Sequence, residues 1–446
     1  MAFFLNYDTI MIINRIEWQV KFMNSIHAVG IIAEYNPFHC GHAYHIKKAK
    51  SLAHTPYCIA AISGDFVQRG APAVFDKYTR TRMALLSGAD LVIELPPLFA
   101  TASAEDFAAC GAALLDSLGV VSHLCFGSEC GELSPLLELA AFMCDEPEEL
   151  SSLIKQYVSL GHSYPKARQI ALERCVSLDS NMASHMETLL SSPNNILGIE
   201  YCKAILRSRS SMIPLTLSRR GSRYEDEELS HSYSSASAIR KYLLSEYSGS
   251  SDGKISPGPL AGQMPDSCLD LALAAVPLAV HDFSSLLSCR LLELHRQGIS
   301  FDRFADVSGE LAARLEKQLL NFSSFEDRIA ALKTRQYTYT RVSRCLTHIL
   351  LHMTAQTYRS RKEEGYASYV RILGFRRESA ELLSAVKKAS RLPLITKTAH
   401  GRNILEPRTF SWFEQDLAAS HIYQAVLAQK SGRPVKNEYT QSIMIV

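Results

Sequence analysis

Hydrophobic and polar positions alternate on two scales along the first 245 residues. Five short apolar runs, at 29–33, 57–63, 90–95, 123–126 and 213–217, each have the length of one buried strand and are too short for a helix. Between them the apolar residues recur at helical spacing. Residues 43–53 put Ile46, Ala49 and Ala53 on one face. Residues 77–87 run to a glycine stop at Gly88, and Ser103, with Glu105 and Asp106 in the first turn, caps a helix reaching Leu118. Further helices open at 192–198 and at 234–240, the second with Ser235 or Ser237 as its N-cap. This alternation predicts an α/β fold, a parallel sheet covered on both faces, with any ligand beyond the C-terminal ends of the strands.

The second half reads differently. Residues 245–267 are rich in Ser, Gly and Pro without periodicity and predict a linker or long surface loop. Helical spacing then returns at 269–279, 284–297, 311–321 and 325–335, so the remainder is expected to be mainly α-helical to about Ser390. The expected organisation is an N-terminal extension (1–25) outside the fold, an α/β domain (26–244), the linker, and a mainly helical C-terminal domain (268–446). Met23 stands just before the first strand, which points to an upstream start placed too early, with a short docking helix as the alternative.

The turn after the first strand concentrates the chemistry. Asn36-Pro37 breaks the strand, and His39-Cys40-Gly41-His42 leads into the next helix. A tight turn at a helix N-terminus offers backbone N–H groups and a dipole that favour a phosphate. Gly41 allows close backbone approach, and His39 and His42 supply donors. Two other readings attach to these residues: an ordinary helix start, and a metal site built on His39, His42 and His45, which lacks a carboxylate and has Cys40 off the spacing. The serine-rich start at 234–240, followed by Arg240, suits a triphosphate, although serines there also simply cap.

Composition narrows the class. Hydrophobic residues make up 47% and charged residues 21%, ordinary for a globular chain, and a net charge of +2 leaves room only for local basic clusters. Eleven scattered cysteines without a C-x-x-C pair suggest reduced thiols, and no apolar run approaches a membrane span. Two acid-free basic stretches stand out. Residues 333–344 hold Lys333, Arg335, Arg341 and Arg344 interleaved with Tyr337 and Tyr339, and residues 382–405 hold Lys387, Lys388, Arg391, Lys397 and Arg402 apart from any acid. Such stretches suit RNA phosphates and unstacked bases, or form a solvated face.

The turn resembles the H-x-G-H signature of the nucleotidyltransferase superfamily. Taken with S-G-D-F-V-Q-R-G-A-P-A, K-Y-T-R-T-R-M-A-L, G-A-D-L-V-I-E-L-P, F-G-S-E, P-N-N-I-L-G and K-T-R-Q-Y-T-Y-T-R, the chain resembles the bacterial tRNA(Met) cytidine acetate ligases from about His27 to near Tyr439. The resemblance implies a Rossmann-like nucleotidyltransferase domain in a cytoplasmic enzyme. That enzyme uses ATP, with magnesium, to form acetyl-adenylate from acetate, and acetylates N4 of the wobble cytidine of elongator tRNA(Met). By matched position it implies an ATP site at Ile31, Ile32, Ala33, Glu34, Tyr35, Asn36, Pro37, Phe38, His39, Cys40, Gly41, His42, Ala43 and Tyr44, with Gly127, Asn194 and Arg219. His39, His42 and Arg240 are the expected catalytic residues; no protein metal ligand is expected. The six residues Lys333, Arg335, Tyr337, Tyr339, Arg341 and Arg344 are the expected tRNA-binding residues. Two other classes share these features: a small-molecule adenylyltransferase and a non-catalytic ATP- and RNA-binding protein.

Overall fold

The computed structural model describes residues 25–145, 148–176, 189–218, 234–250 and 254–446. At its centre lies β1 (Ala28–Ala33), paired in parallel with β2 (Tyr57–Ser63) on one side and β4 (Val121–Ser128) on the other. Parallel pairing continues from β2 to β3 (Leu91–Leu95) and from β4 to β5 (Ile213–Ser218), giving the order 3-2-1-4-5. The reversal of strand order beside β1 opens the crevice in which such sheets bind ligands.

Strand alternation divides the interior. Val29 and Ile31 face a core with Ile46 and Ala49 of α1 (Cys40–Leu52) and with Met83 and Leu85 of α2 (Lys77–Leu86). Ala28 and Ile32 face the opposite core, against Phe107, Leu114 and Leu115 of α3 (Ala104–Ser117) and against α7 (Pro193–Ser208), which follows α4 (Leu133–Asp145), α5 (Glu148–Ser159) and α6 (Tyr164–Val176). Because helices cover both faces, the strands read as continuous apolar runs. The last helix of this part is α8 (Ala236–Gly249).

The C-terminal half is mainly helical, including α9 (Ser284–Arg296), α10 (Tyr339–Leu350) and the 25-residue α11 (Pro407–Ser431), but it also extends the sheet. Strand β6 (Val370–Phe375) runs antiparallel on the β3 edge, and both β7 (Leu394–Ile395) and β8 (Met444–Ile445) pair with β6 in parallel. One continuous core joins Leu114 and Ile93 to Leu287, Ile349 and Tyr423, so the two halves share an interior.

A buried ionic cluster ties them together. Lys77 Nζ lies 2.7 Å from Glu94 Oε1 and 3.2 Å from Glu438 Oε2, and Arg371 lies 3.2 Å from Glu94 Oε2 and 2.5 Å from Glu438 Oε2. All four side chains are buried, and charges there persist only when paired this closely. Burial pushes the Glu438 carboxyl upward, but Lys77 and Arg371 more than offset it and hold the group at about 2.

Within the stretch expected to be a linker or surface loop, residues 254–264 are largely exposed but anchored on the α/β core. Ile255, Leu260 and Met264 are buried among residues of α1, α2 and α8, because these apolar side chains close the end of that core. The extension at 1–24 lies outside the described residues.

Candidate nucleotide site

Beyond the C-terminal ends of β1 and β4 lies a cavity of about 280 Å³. Of the residues expected to hold ATP, Ile32, Ala33, Glu34, Tyr35, Asn36, His39, Gly41, His42, Tyr44, Gly127 and Asn194 line it, and so does Arg240. Ile31 and Phe38 are instead fully buried in the core, while Pro37, Cys40 and Ala43 do not reach the cavity wall, because successive residues of a strand or turn face opposite sides. Arg219 lies outside the described residues.

The turn closes on itself. Tyr35 takes a left-handed backbone (φ 48°), which swings the chain away from β1, and its ring packs 4.8 Å from Phe38 and 4.9 Å from His42. His39 is the N-cap of α1: its Nδ1 accepts the Gly41 N–H at 3.0 Å, and His42 Nδ1 accepts the His39 N–H at 3.2 Å. The two rings lie 3.9 Å apart between centroids. With both Nδ1 atoms accepting, each neutral ring carries its proton on Nε2, so the pair presents donors.

This changes the expected source of phosphate affinity. The first N–H groups of α1 are already paired, Cys40 with the Gln263 carbonyl at 2.9 Å, Gly41 with His39, and His42 with the His39 carbonyl at 2.9 Å. The glycine serves the histidine as well: a Cβ on Gly41 would come within 2.8 Å of His39 Cε1. The ring N–H groups, rather than the backbone of this turn, are the donors it presents to the cavity.

Opposite the turn stands the start of α8. Ser235, not Ser237, is its N-cap, accepting the Ala238 N–H at 3.0 Å, while Ser237 accepts from Arg240 at 3.1 Å. Arg240 also donates to the Asn36 carbonyl at 2.5 Å, which fixes the guanidinium between the two helix starts. Gln263 spans the same gap, its side-chain oxygen accepting the Ser234 N–H at 2.7 Å.

The third wall joins two motifs distant in sequence. Glu129 accepts from Asn194 Nδ2 at 2.6 Å and from the Asn195 N–H at 2.9 Å, while Asn195 Oδ1 accepts the Glu129 N–H at 2.9 Å. This reciprocal lock caps α7 with a carboxylate and sets Asn194 beside Gly127. Sequence reasoning missed Gln68, Phe107, Phe126, Leu197, Tyr201 and Leu217, which also line the cavity. It missed Arg80 too. That fully buried guanidinium donates to the carbonyls of Phe75 (2.9 Å), Glu34 (2.7 Å), Ser63 (2.9 Å) and Gly64, stapling the ends of β1 and β2. Its signal was an arginine on the apolar side of a helix pattern, where only pairing makes burial tolerable.

The basic stretch at 333–344 is divided by the fold. Lys333, Arg335 and Tyr339 are exposed, Arg341 is half-buried, and Thr338 caps α10. Tyr337 is corrected: it is 6% exposed, its hydroxyl shares a hydrogen bond with Ser308 (2.7 Å) and donates to Glu310 (3.1 Å), and Arg341 lies over its ring at 5.0 Å. An exposed aromatic face for a base is therefore absent there. Arg344 pairs with Asp306 at 3.3 Å. The stretch nevertheless adjoins the site. Ser343 and Thr347 donate to the Gly70 carbonyl at 2.6 and 2.8 Å, and Gly70 (φ 70°) lies so close that a Cβ would meet the Arg344 nitrogen at 2.3 Å. Two residues back, the Gln68 N–H donates to Glu34 Oε1 at 3.0 Å.

Comparison with known proteins agrees with this geometry. The model of the HIGH nucleotidyl transferase family matches residues 26–438. The tRNA(Met) cytidine acetate ligase of Acetivibrio thermocellus is 37% identical over 423 residues, 94% of this chain and 99% of the relative, and that of Clostridium acetobutylicum is 37% identical over 420 residues, 93% and 99%. The crystal structure of Thermotoga maritima TmcAL without ligand superposes with a TM-score of 0.86 at 27% identity, covering 94% of this chain and all of the other. The same protein bound with alpha-thio ATP gives 0.85. With a match across nearly the whole chain and relatives this similar along their full length, the chain belongs to the HIGH nucleotidyl transferases and, within them, to the tRNA(Met) cytidine acetate ligase family.

Proposed function

We propose that this chain uses ATP to activate acetate as acetyl-adenylate and transfers the acetyl group to N4 of the wobble cytidine of elongator tRNA(Met), giving N4-acetylcytidine. The observation that carries the reading is the cavity itself, in which the donor-presenting pair His39 and His42 faces Arg240 across the ends of β1 and α8. The names of relatives similar over almost their whole length, and the alpha-thio ATP bound by Thermotoga maritima TmcAL, support the choice of nucleotide and substrates.

Acetate attacks the α-phosphorus in line and pyrophosphate leaves. Negative charge grows on the bridging and leaving oxygens, where the ring N–H donors and Arg240 lower the barrier without reorganising. ATP enters as its magnesium complex, held largely by phosphate and water. The mixed anhydride is already activated, so no protein nucleophile is needed. Burial, followed by the charge of Asp266, pushes the Cys40 thiol up, which disfavours thiolate at neutral pH. The exposed Lys333, Arg335 and Tyr339, with Arg341, form the tRNA face of a cytoplasmic enzyme, docked beside the site through Gly70.

The test is incubation with ATP, acetate and total bacterial tRNA, followed by nucleoside analysis. N4-acetylcytidine dependent on all three is expected. Acetate-dependent ATP–pyrophosphate exchange with no modified nucleoside would overturn the tRNA assignment and favour a small-molecule adenylyltransferase.

A further inference from the structure

Among the described residues, the cavity wall contains one carboxylate, that of Glu34. Its presence is unexpected on electrostatic grounds. A site that takes a triphosphate and an acetate gathers negative charge, and a fixed carboxylate beside them opposes binding of both. The fold nevertheless holds Glu34 firmly. Its carbonyl accepts from the fully buried Arg80 at 2.7 Å, and its Oε1 accepts the Gln68 N–H at 3.0 Å. Among the described residues Oε2 takes no hydrogen bond. The residue stands at the C-terminal end of β1, where ligands of a parallel sheet lie, in the same cavity as the apolar Phe107, Phe126 and Tyr201.

The second half-reaction needs such a group. The exocyclic amine of a cytosine is delocalised into the ring and a poor nucleophile while it keeps both protons. The histidines are poorly suited to remove one, since each neutral ring already accepts a backbone N–H on Nδ1 and carries its proton on Nε2. We propose that Glu34 is the general base of acetyl transfer, accepting the amine proton on Oε2. The N4 lone pair forms the new C–N bond at the acetyl carbonyl carbon, and the proton passes from N4 to Oε2. The carbonyl re-forms as the bond from carbon to the bridging oxygen breaks and AMP departs with that electron pair; Glu34 then returns the proton to water. This role rests on the function proposed above, and the base would work within hydrogen-bond reach of the amine.

The experiment compares wild-type protein with Glu34→Gln and Glu34→Asp. Glutamine keeps a side-chain oxygen for the Gln68 N–H and leaves the hydrogen bond from Arg80 to the backbone untouched, so the fold of the pocket is retained. Single-turnover transfer to tRNA is measured from chemically prepared acetyl-adenylate, which bypasses activation, and ATP–pyrophosphate exchange is measured separately with acetate. Transfer by Glu34→Gln should fall by about 10²–10⁴-fold, well beyond any fall in exchange, and Glu34→Asp should recover part of it. An equal fall in both half-reactions would assign Glu34 to nucleotide or magnesium binding and overturn the proposal. Transfer at the wild-type rate by Glu34→Gln would overturn it as well. Wild-type protein unable to acetylate tRNA from either acetyl source would instead defeat the parent reading, and this inference with it.

Discussion

The turn at 36–42 and the stretch at 333–344 are both short, polar and dense in motif residues, yet the fold treats them in opposite ways. In the turn, neighbours in sequence become neighbours in space: His42 accepts the His39 N–H, His39 accepts that of Gly41, the two rings stack, and Asn36, His39, Gly41 and His42 line one cavity. In the stretch, a cap at Thr338 starts a helix whose successive side chains point roughly 100° apart. Tyr337 and Arg344 are drawn to Ser308, Glu310 and Asp306, while Lys333, Arg335 and Tyr339 remain exposed. A turn gathers a motif, whereas a helix and its lead-in disperse one. A string of functional-looking residues is therefore stronger evidence for a single site when it lies in a turn.

Both regions ride on one body, and the buried ionic cluster is one of the ties between its halves. Glu438→Ala, which leaves Lys77 and Arg371 without that carboxylate, should cost roughly 3–5 kcal/mol in denaturant unfolding. The pH dependence has a definite sign. With its folded pKa at about 2, below the ordinary carboxylate value, Glu438 contributes stability that is present above the ordinary value and lost as pH falls toward 2. The gap between wild type and Glu438→Gln should therefore narrow across that acid window. An unchanged unfolding midpoint for the alanine variant would dissolve the tie.

Next in size is the turn. His42→Ala removes a donor that the proposed mechanism aims at transition-state charge, and should raise the barrier by about 2.7–4 kcal/mol, read as turnover in acetate-dependent ATP–pyrophosphate exchange with a much smaller change in ATP affinity. Normal turnover would remove the chemistry from the turn.

In the basic stretch, the two tyrosines should separate. Tyr339→Ala should weaken tRNA binding by about 1–3 kcal/mol if the exposed ring stacks on a base, with little effect on melting. Tyr337→Phe loses two buried hydrogen-bond partners and should cost about 1 kcal/mol of stability while leaving tRNA affinity alone. A reversed pattern would mean that the stretch works as one surface after all. The smallest effect concerns the exposed bases. Replacing Lys333 and Arg335 by Ala should reduce the salt dependence of tRNA binding by about 0.7–0.9 in slope for each phosphate left without its cation. A slope identical to wild type would leave them as a solvated face.

The local pattern of the sequence was enough for the five-stranded parallel sheet, the turn at its centre and the helix start at 234–240, because periodicity, strand length and capping are properties of neighbouring residues, whereas the choice of Ser235 over Ser237 as the cap came from the fold. His39, His42, Gly41 and Arg240 were legible for the same reason: a strand, a turn and two helix starts place them. The tertiary structure alone decided the rest. Arg80 finds Glu34 46 positions away, Gln263 reaches Cys40 across 223, and β6 joins the β3 edge from the far end of the chain. Such partners leave no periodic trace. Their one local sign is a charge set in an apolar run, as Glu94 is within β3, which demands a partner without naming it. Glu438 and Arg371 meet that demand only when the chain closes on itself, because the cost of burying a charge fixes the need for pairing and the fold alone fixes the mate.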